Sequence, residues 1–356
     1  MKLPCITMLA TLLLTGPAAA QLQIAPPATI PSAAPEKQKP KPHTITKKKE
    51  AAPAPKPSAS PRPTPTPAAT VIPAPPTDNS NADLVFGAYQ RGQYKTAFDL
   101  ATVRAQAGDP KAMTMLGELY SNAMGIRRDY AKAAEWYKRA ADAGDREAMF
   151  ALAMLRISGR GGSLDKSEAV KLMASAAKLG EPKAAYNLAL LYLDGQTLPQ
   201  DVRRSAELLR QAADAGLPEA QYALATFYKE GTGVPKDPER AVRLLQAASL
   251  ADNVDAEVEY AIAMFNGTGT PKNQPAAVAL LRKASRQGSA IAQNRLAWVL
   301  INGVGVPMDK VEGFKWHLVA KTAGKGDPEL DKQLSDLPAE DRAKAEAAAR
   351  KWLGTK

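Results

Sequence analysis

Residues 220–248 read AQYALATFYKEGTGVPKDPERAVRLLQAA. The stretch opens with apolar residues at four-residue intervals, the spacing of one helix face, at Ala220, Leu224 and Tyr228. A glycine-rich turn follows, in which Gly231 permits the positive φ at which helices end. Asp237 then has a side chain that is preferred at the N-cap of a second helix. The stretch therefore predicts two antiparallel helices joined by a short turn.

The same pattern returns every 36 residues, without an insertion, through six units. An alanine of the first helix recurs at Ala112, Ala148, Ala184, Ala220, Ala256 and Ala292. The predicted N-cap of the second helix recurs at Asp129, Asp165, Asp201, Asp237, Asn273 and Asp309. One helix pair cannot bury its apolar face, whereas stacked pairs bury a continuous core. We therefore expect an all-α fold, a right-handed α-solenoid of helix-turn-helix repeats.

The repeats occupy one part of a chain of 356 residues. Residues 108–324 contain the six units, residues 83–107 look like an N-terminal half-unit, and residues 325–356 are predicted to form a C-terminal capping helical segment. Residues 1–20 read as a signal peptide, and residues 21–82 read as a tether between that signal and the repeats.

The predicted signal peptide has Lys2, a short apolar run from Ile6 to Leu14, and three alanines that end at Ala20. The apolar run is too short to span a bilayer, and no later segment resembles a transmembrane helix. We expect a periplasmic protein exported by a cleavable signal, with secretion as the alternative. An uncleaved anchor is the competing interpretation of the same residues.

The predicted tether holds 16 of the 29 prolines and carries a net charge of +5, from 8 basic and 3 acidic residues. Because proline removes backbone donors and fixes φ, we expect a disordered, polyproline II-rich segment. Its basic charge suits contact with anionic envelope surfaces, and a solvated spacer is the other interpretation. The remaining charges are mixed in sign, which argues against nucleic-acid binding.

The repeats combine A-x-x-x-L-G-x-x-Y, G-x-G-V-P-x-D-x-x-x-A-x-x-L and A-A-x-x-G. This pattern resembles the Sel-one-like repeat family, a variant of the tetratricopeptide solenoid, over residues 83–324. Arg156, Thr197 and Tyr260 depart from it and are expected to alter local packing. The resemblance implies a non-enzymatic scaffold for protein–protein contacts. In bacterial envelopes such scaffolds are often adaptors or regulators of signalling or cell-wall proteins.

Few residues are available for catalysis or metal binding. The chain has one cysteine, Cys5, and two histidines, His43 in the tether and His317 on a predicted helix, where we expect a structural role. This inventory excludes a four-cysteine zinc site, an internal disulfide and an iron–sulfur cluster. We predict no catalytic residue, no cofactor and no metal.

The first helices predict a binding surface. Residues two before, two after and five after the core leucine would lie on the exposed inner side of each first helix, which lines the concave groove in tetratricopeptide-like solenoids. The candidates are Phe150, Met154, Ile157, Tyr186, Leu190, Leu193, Tyr222, Thr226, Val258, Ile262, Phe265, Trp298 and Ile301. An amphipathic helix or an extended peptide would suit such an apolar groove. The other interpretation is that these side chains pack between units.

Three functions follow from these patterns. The leading hypothesis is an exported scaffold that binds an envelope protein. A peptidoglycan- or envelope-surface-binding module ranks lower, because the chain has only 4 Trp and the predicted groove is apolar. A cell-wall enzyme that acts through carboxylates ranks third.

Overall fold

The computed structural model describes the backbone of residues 80–354 and the side chains of residues 84–354. The predicted signal peptide, residues 21–79 of the predicted tether, Cys5 and His43 lie outside these residues. The first described helix begins at Ser80, three residues before the predicted start of the half-unit.

The described part of the chain contains sixteen α-helices and no strand. In chain order they are α1 Ser80–Gln90, α2 Tyr94–Gln106, α3 Pro110–Asn122, α4 Tyr130–Asp142, α5 Arg146–Ser158, α6 Lys166–Lys178, α7 Pro182–Asp194, α8 Val202–Asp214, α9 Pro218–Glu230, α10 Pro238–Leu250, α11 Val254–Asn266, α12 Gln274–Arg286, α13 Ala290–Asn302, α14 Lys310–Thr322, α15 Pro328–Ser335 and α16 Ala339–Leu353. Within residues 80–354, no helix has both the length and the apolar composition needed to cross a bilayer.

Helices α3 to α14 form six hairpins whose first helices begin 36 residues apart, from Pro110 onwards. Each helix packs against the helix before it and the helix after it. Apolar clusters consequently extend from one hairpin into the next instead of closing within one unit. The predicted all-α solenoid with a 36-residue period is confirmed.

The second helix of each hairpin is capped as the sequence predicts. The side chains of the six Asp and Asn residues at this position accept hydrogen bonds from amides in the first turn: Asp129, Asp165, Asp201, Asp237, Asn273 and Asp309. Each such cap is worth about 1 kcal/mol. Repetition of the cap fixes where the second helix begins in every unit.

The joint between units four and five differs from the others. Gly144 and its equivalents adopt a positive φ there, and Asp252 takes the same left-handed conformation at φ 58. The carboxylate of Asp252 lies 2.7 Å from Nζ of Lys283, and Nζ also lies 2.5 Å from Oε1 of Glu257. Glu257 is fully buried. Lys283 therefore pairs with two carboxylates, that of Asp252 in the unusual joint and the buried one of Glu257.

The C-terminal segment covers the end of the helical stack. Leu330, Leu337 and Ala345 are buried in the core of the last units, and the rings of Trp316 and Trp352 meet edge to face at 5.0 Å. Only one side of α16 therefore faces water.

One close approach distinguishes the first unit. A Cβ added to Gly117 would lie 2.5 Å from the ring of Tyr137, which is buried. In units two to five alanine replaces this glycine, and leucine or methionine replaces the tyrosine, as at Ala225 and Leu245. Unit six pairs Ala297 with His317. The two positions share one volume, which unit one and the later units divide differently.

Gly117→Ala is expected to lower the free energy of unfolding by about 1–3 kcal/mol, because the ring of Tyr137 must move in a close-packed core. Adding Tyr137→Leu recreates the pair of unit four and should restore most of the loss. Urea unfolding followed by circular dichroism measures both variants. Equal stability of Gly117→Ala and the unaltered chain would contradict the shared-volume argument.

Lys283→Met is expected to lower the urea midpoint, because it leaves the buried carboxylate of Glu257 without its cation. The double variant Lys283→Met/Glu257→Met should recover stability, since methionine already occupies the equivalent of Glu257 at Met113 and Met149. Lys138→Met, which breaks an exposed ion pair with Asp142, is the control and should change the midpoint little. A double variant weaker than Lys283→Met alone would refute this reading of the joint.

Candidate partner-binding face of the first helices

The predicted binding residues lie on five first helices, α5, α7, α9, α11 and α13. We call these thirteen residues the first-helix strip. Eleven of them are partly exposed in the structure, as the prediction requires for access. Whether they bind a partner is not decided by their exposure.

Val258 and Ile301 are exceptions, because each is only 4% exposed. Val258 lies in the buried core of the last two units and has a short side chain at a position where units two to four carry Phe or Tyr. Ile301 packs onto Gly313 of the facing helix, where an added Cβ would lie 2.6 Å from its Cγ1. Neither residue offers surface to a partner, so the accessible part of the predicted strip excludes both.

Most of the remaining side chains also pack on the core. The residues that do so are Phe150, Met154, Ile157, Tyr186, Leu193, Tyr222, Ile262, Phe265 and Trp298. Each of them presents one side to the interior and keeps part of its surface accessible. These side chains are therefore neither fully exposed nor fully enclosed between units.

Polar contacts in units one and six show where the repeat position of Tyr186 lies. Oγ1 of Thr114 lies 3.2 Å from Oδ1 of Asp145, the N-cap of the next first helix. Nδ2 of Asn294 donates to the carbonyl oxygen of Lys325 at 3.1 Å. Thr114 and Asn294 are the equivalents of Tyr186, so this repeat position lies against the turn that leads into the next unit.

The apolar surface is uninterrupted only in units two and three. There the three strip positions hold Phe150, Met154, Ile157, Tyr186, Leu190 and Leu193, and all six are partly exposed. In unit four the strip continues through Thr226 to Lys229, whose Nζ pairs with Oε2 of Glu259 at 2.9 Å. Units two and three therefore form the apolar section of the strip.

The tyrosines of the strip stay neutral at physiological pH. Burial, with a smaller contribution from the charge of Glu219, raises the pKa of Tyr186. Burial and the nearby carboxylates, Glu259 first among them, raise the pKa of Tyr222 to about 12. Both phenols thus keep a hydroxyl proton that a partner can accept.

Metal ligands and His317 are the remaining candidates for chemistry among residues 80–354. No group of three or more His, Cys, Asp or Glu within residues 80–354 is arranged to hold a metal ion. His317 is fully buried, and its Nε2 lies 2.8 Å from Oδ1 of Asp331, which also accepts from Nζ of Lys321. The histidine joins α14 to the C-terminal segment, in agreement with the structural role expected for it.

Six consecutive segments of the chain match the family model of the Sel1 repeat. They are residues 110–145, 146–181, 182–217, 218–253, 254–289 and 290–325. The chain belongs to the Sel1 repeat family. Each segment begins with a first helix, so the Sel1 unit coincides with the hairpin described above.

Solved structures are similar to this Sel1 repeat chain along most of its length. A protective antigen of uropathogenic Escherichia coli with an SLR fold shares 25% identity at a TM-score of 0.66, over 78% of this chain and 60% of the antigen chain. This chain therefore spans less than two thirds of that antigen. A Sel1 repeat protein from Oxalobacter formigenes shares 25% identity at a TM-score of 0.57, over 67% of this chain and 96% of its own. No curated protein matches the chain.

Sel1 repeats are scaffolds that mediate protein–protein interactions, and the fold is typically non-catalytic.

Proposed function

We propose that this chain is an exported scaffold that binds a protein of the bacterial envelope through the apolar section of the first-helix strip. It acts as an adaptor or regulator of a signalling or cell-wall protein, and not as an enzyme. The observation that carries this proposal is the run of six partly exposed apolar side chains in units two and three.

The arrangement of these side chains suits an amphipathic helix or an extended peptide. Successive first helices repeat the same three positions, so a bound segment meets apolar side chains at regular intervals. Phe150 and Tyr186 are aromatic residues already anchored on the core, and they need little ordering when a partner binds. We expect them to contribute most to affinity.

Export to the periplasm is part of this proposal and rests on the sequence of residues 1–20. The basic, proline-rich residues 21–82 would supply reach, or weak attraction to anionic envelope surfaces. Both functions leave the repeats free to bind a partner.

Tyr186→Glu/Leu190→Glu is expected to reduce partner capture at least about tenfold, because a buried charge removes apolar contact from a hot spot. The measurement is the amount of partner recovered with the tagged full chain. The chain is crosslinked in the native host and purified, and its partners are identified by mass spectrometry. Leu190→Glu alone is a milder variant, since Leu190 lies outside the residues that pack on the core cluster. Circular dichroism must show unchanged helix content.

The matched control is Leu164→Glu/Leu179→Glu, which places two charges on leucines of unit two that are 58% and 50% exposed and lie outside the strip. It should leave capture unchanged. Equal capture by the strip variant and the unaltered chain, with both folded, would exclude the strip as the binding face. A different outcome would support a wall-binding module. In that case the pure chain would sediment with isolated sacculi, and the strip variant would sediment with them equally well.

A further inference from the structure

The turn between α3 and α4 departs from the other five turns of the repeat. Ala123 ends α3 in the left-handed conformation, at φ 57 and ψ 39. The other five units have glycine there: Gly159, Gly195, Gly231, Gly267 and Gly303. A residue with a Cβ costs about 1–2 kcal/mol in that conformation. The first turn thus accepts a strain that the later turns avoid, and such strain is concentrated at functional sites.

A second departure places an additional cation in the same turn. Arg127 stands where four later units have proline, at Pro199, Pro235, Pro271 and Pro307. Arg128 follows it directly, and both side chains are exposed. The first unit has therefore lost the rigid proline of the repeat and gained a pair of adjacent guanidinium groups.

These side chains line an open pocket of about 540 Å³. Its walls are formed by Ile126, the rings of Tyr120 and Tyr130, and the cationic side chains of Arg127, Arg128 and Lys132. Tyr130 has no aromatic equivalent in the other five units, whose residues at this position are Lys166, Val202, Pro238, Gln274 and Lys310. The combination of two rings and three cations is specific to this turn.

The rings hold the cations in place. The guanidinium carbon of Arg128 lies 5.8 Å from the ring centroid of Tyr130, and that of Arg160 lies 5.4 Å from the same ring. Nζ of Lys132 lies 5.5 Å from the centroid of Tyr120. Tyr120 itself meets Phe98 edge to face at 5.6 Å, which fixes it against the core. Cation–π attraction thus orders the charges without neutralising them.

The pocket keeps a net positive charge. Among the residues that the structure describes, no carboxylate pairs with Arg127, Arg128 or Lys132. Asp129 also lines the pocket, but its Oδ1 accepts the amides of Ala131 and Lys132, each at 3.0 Å.

At two of the repeat positions that line the pocket, those of Tyr120 and Lys132, cations of other units pair with carboxylates. In unit two Nε of Arg156 pairs with Glu168 at 2.8 Å, and in unit four Nε of Arg240 pairs with Asp237 at 3.1 Å. Arg156 and Arg240 therefore have carboxylate partners, whereas Arg127, Arg128 and Lys132 have none among the described residues.

We propose that this pocket binds an acidic peptide segment, with several consecutive Glu or Asp residues, on the partner protein. Guanidinium groups match planar carboxylates with two parallel hydrogen bonds, and Lys132 adds a further donor. Three cations that have no carboxylate partner among the described residues suit several carboxylates rather than a single anion. The inference deepens the proposed function, because it supplies a second contact that is independent of the strip.

Fluorescence anisotropy of labelled hexaglutamate, titrated with the full chain at low ionic strength, tests the pocket directly. Arg127→Glu/Arg128→Glu is expected to weaken binding by about tenfold, because attraction becomes repulsion. Arg127→Gln/Arg128→Gln removes the charge without adding another and should weaken binding less. Helix content by circular dichroism confirms that both variants fold.

The matched control is Lys236→Glu/Lys272→Glu, because both lysines are exposed and occupy the repeat position of Arg128. It makes the same change in net charge and should alter binding by no more than about twofold. Equal losses in the two charge-reversed variants would show that only the overall charge of the chain attracts the peptide, which would overturn the proposal.

Two further probes separate other anions from an acidic peptide. Full competition by inorganic phosphate at concentrations similar to those of hexaglutamate, or binding of phosphatidylglycerol vesicles that Arg127→Glu/Arg128→Glu abolishes, would overturn the peptide in favour of a phosphate-bearing ligand. The strip variant Tyr186→Glu/Leu190→Glu should keep its affinity for hexaglutamate. If the strip variant loses partner capture, the proposed function is supported. The pocket inference is then decided separately, by the titration with hexaglutamate.

Discussion

The structure depends above all on the small volume of alanine at fixed places in every unit. The alanines that begin the core of the first helices are fully buried from Ala148 to Ala292, and Ala112 is 3% exposed. Alanine lets two helix backbones approach closely, so each hairpin packs on the next without a void. The same constraint applies to Gly117 and Tyr137, where the absence of a Cβ on the glycine leaves room for the larger tyrosine ring. The repeat therefore conserves the summed volume of facing positions, and side-chain identity follows from it.

Features set by neighbouring residues could be predicted from the sequence. The six N-caps depend on one side chain and the two or three amides that follow it, so their 36-residue spacing was sufficient. The burial of Ile301 was missed because it depends on Gly313 in the facing helix. The basic pocket was missed for a similar reason: its rings and cations come from α3, the turn, α4 and the next turn. The signals of it in the sequence were three departures from the repeat, at Ala123, Arg127 and Tyr130.

Units of a solenoid are equivalent in packing but not in surface. The core positions tolerate only small or matched side chains, whereas the strip and the turns can vary without disturbing the stack. This freedom explains why Glu168 neutralises Arg156 in unit two while Lys132, at the position of Glu168, remains unpaired in unit one. The departures from the repeat are therefore more informative about binding than the pattern that defines the family.

The apolar section of the strip and the basic pocket differ in the physical basis of their attraction. Burial of the strip depends weakly on salt, whereas charge attraction at the pocket is screened within about 10 Å at 0.1 M ionic strength. A partner that meets both surfaces gains an effective concentration at the second contact once the first has formed. The pocket would then accelerate encounter and select partners by charge, while the strip would slow dissociation. A scaffold with two such contacts discriminates against proteins that carry only an apolar helix or only an acidic segment.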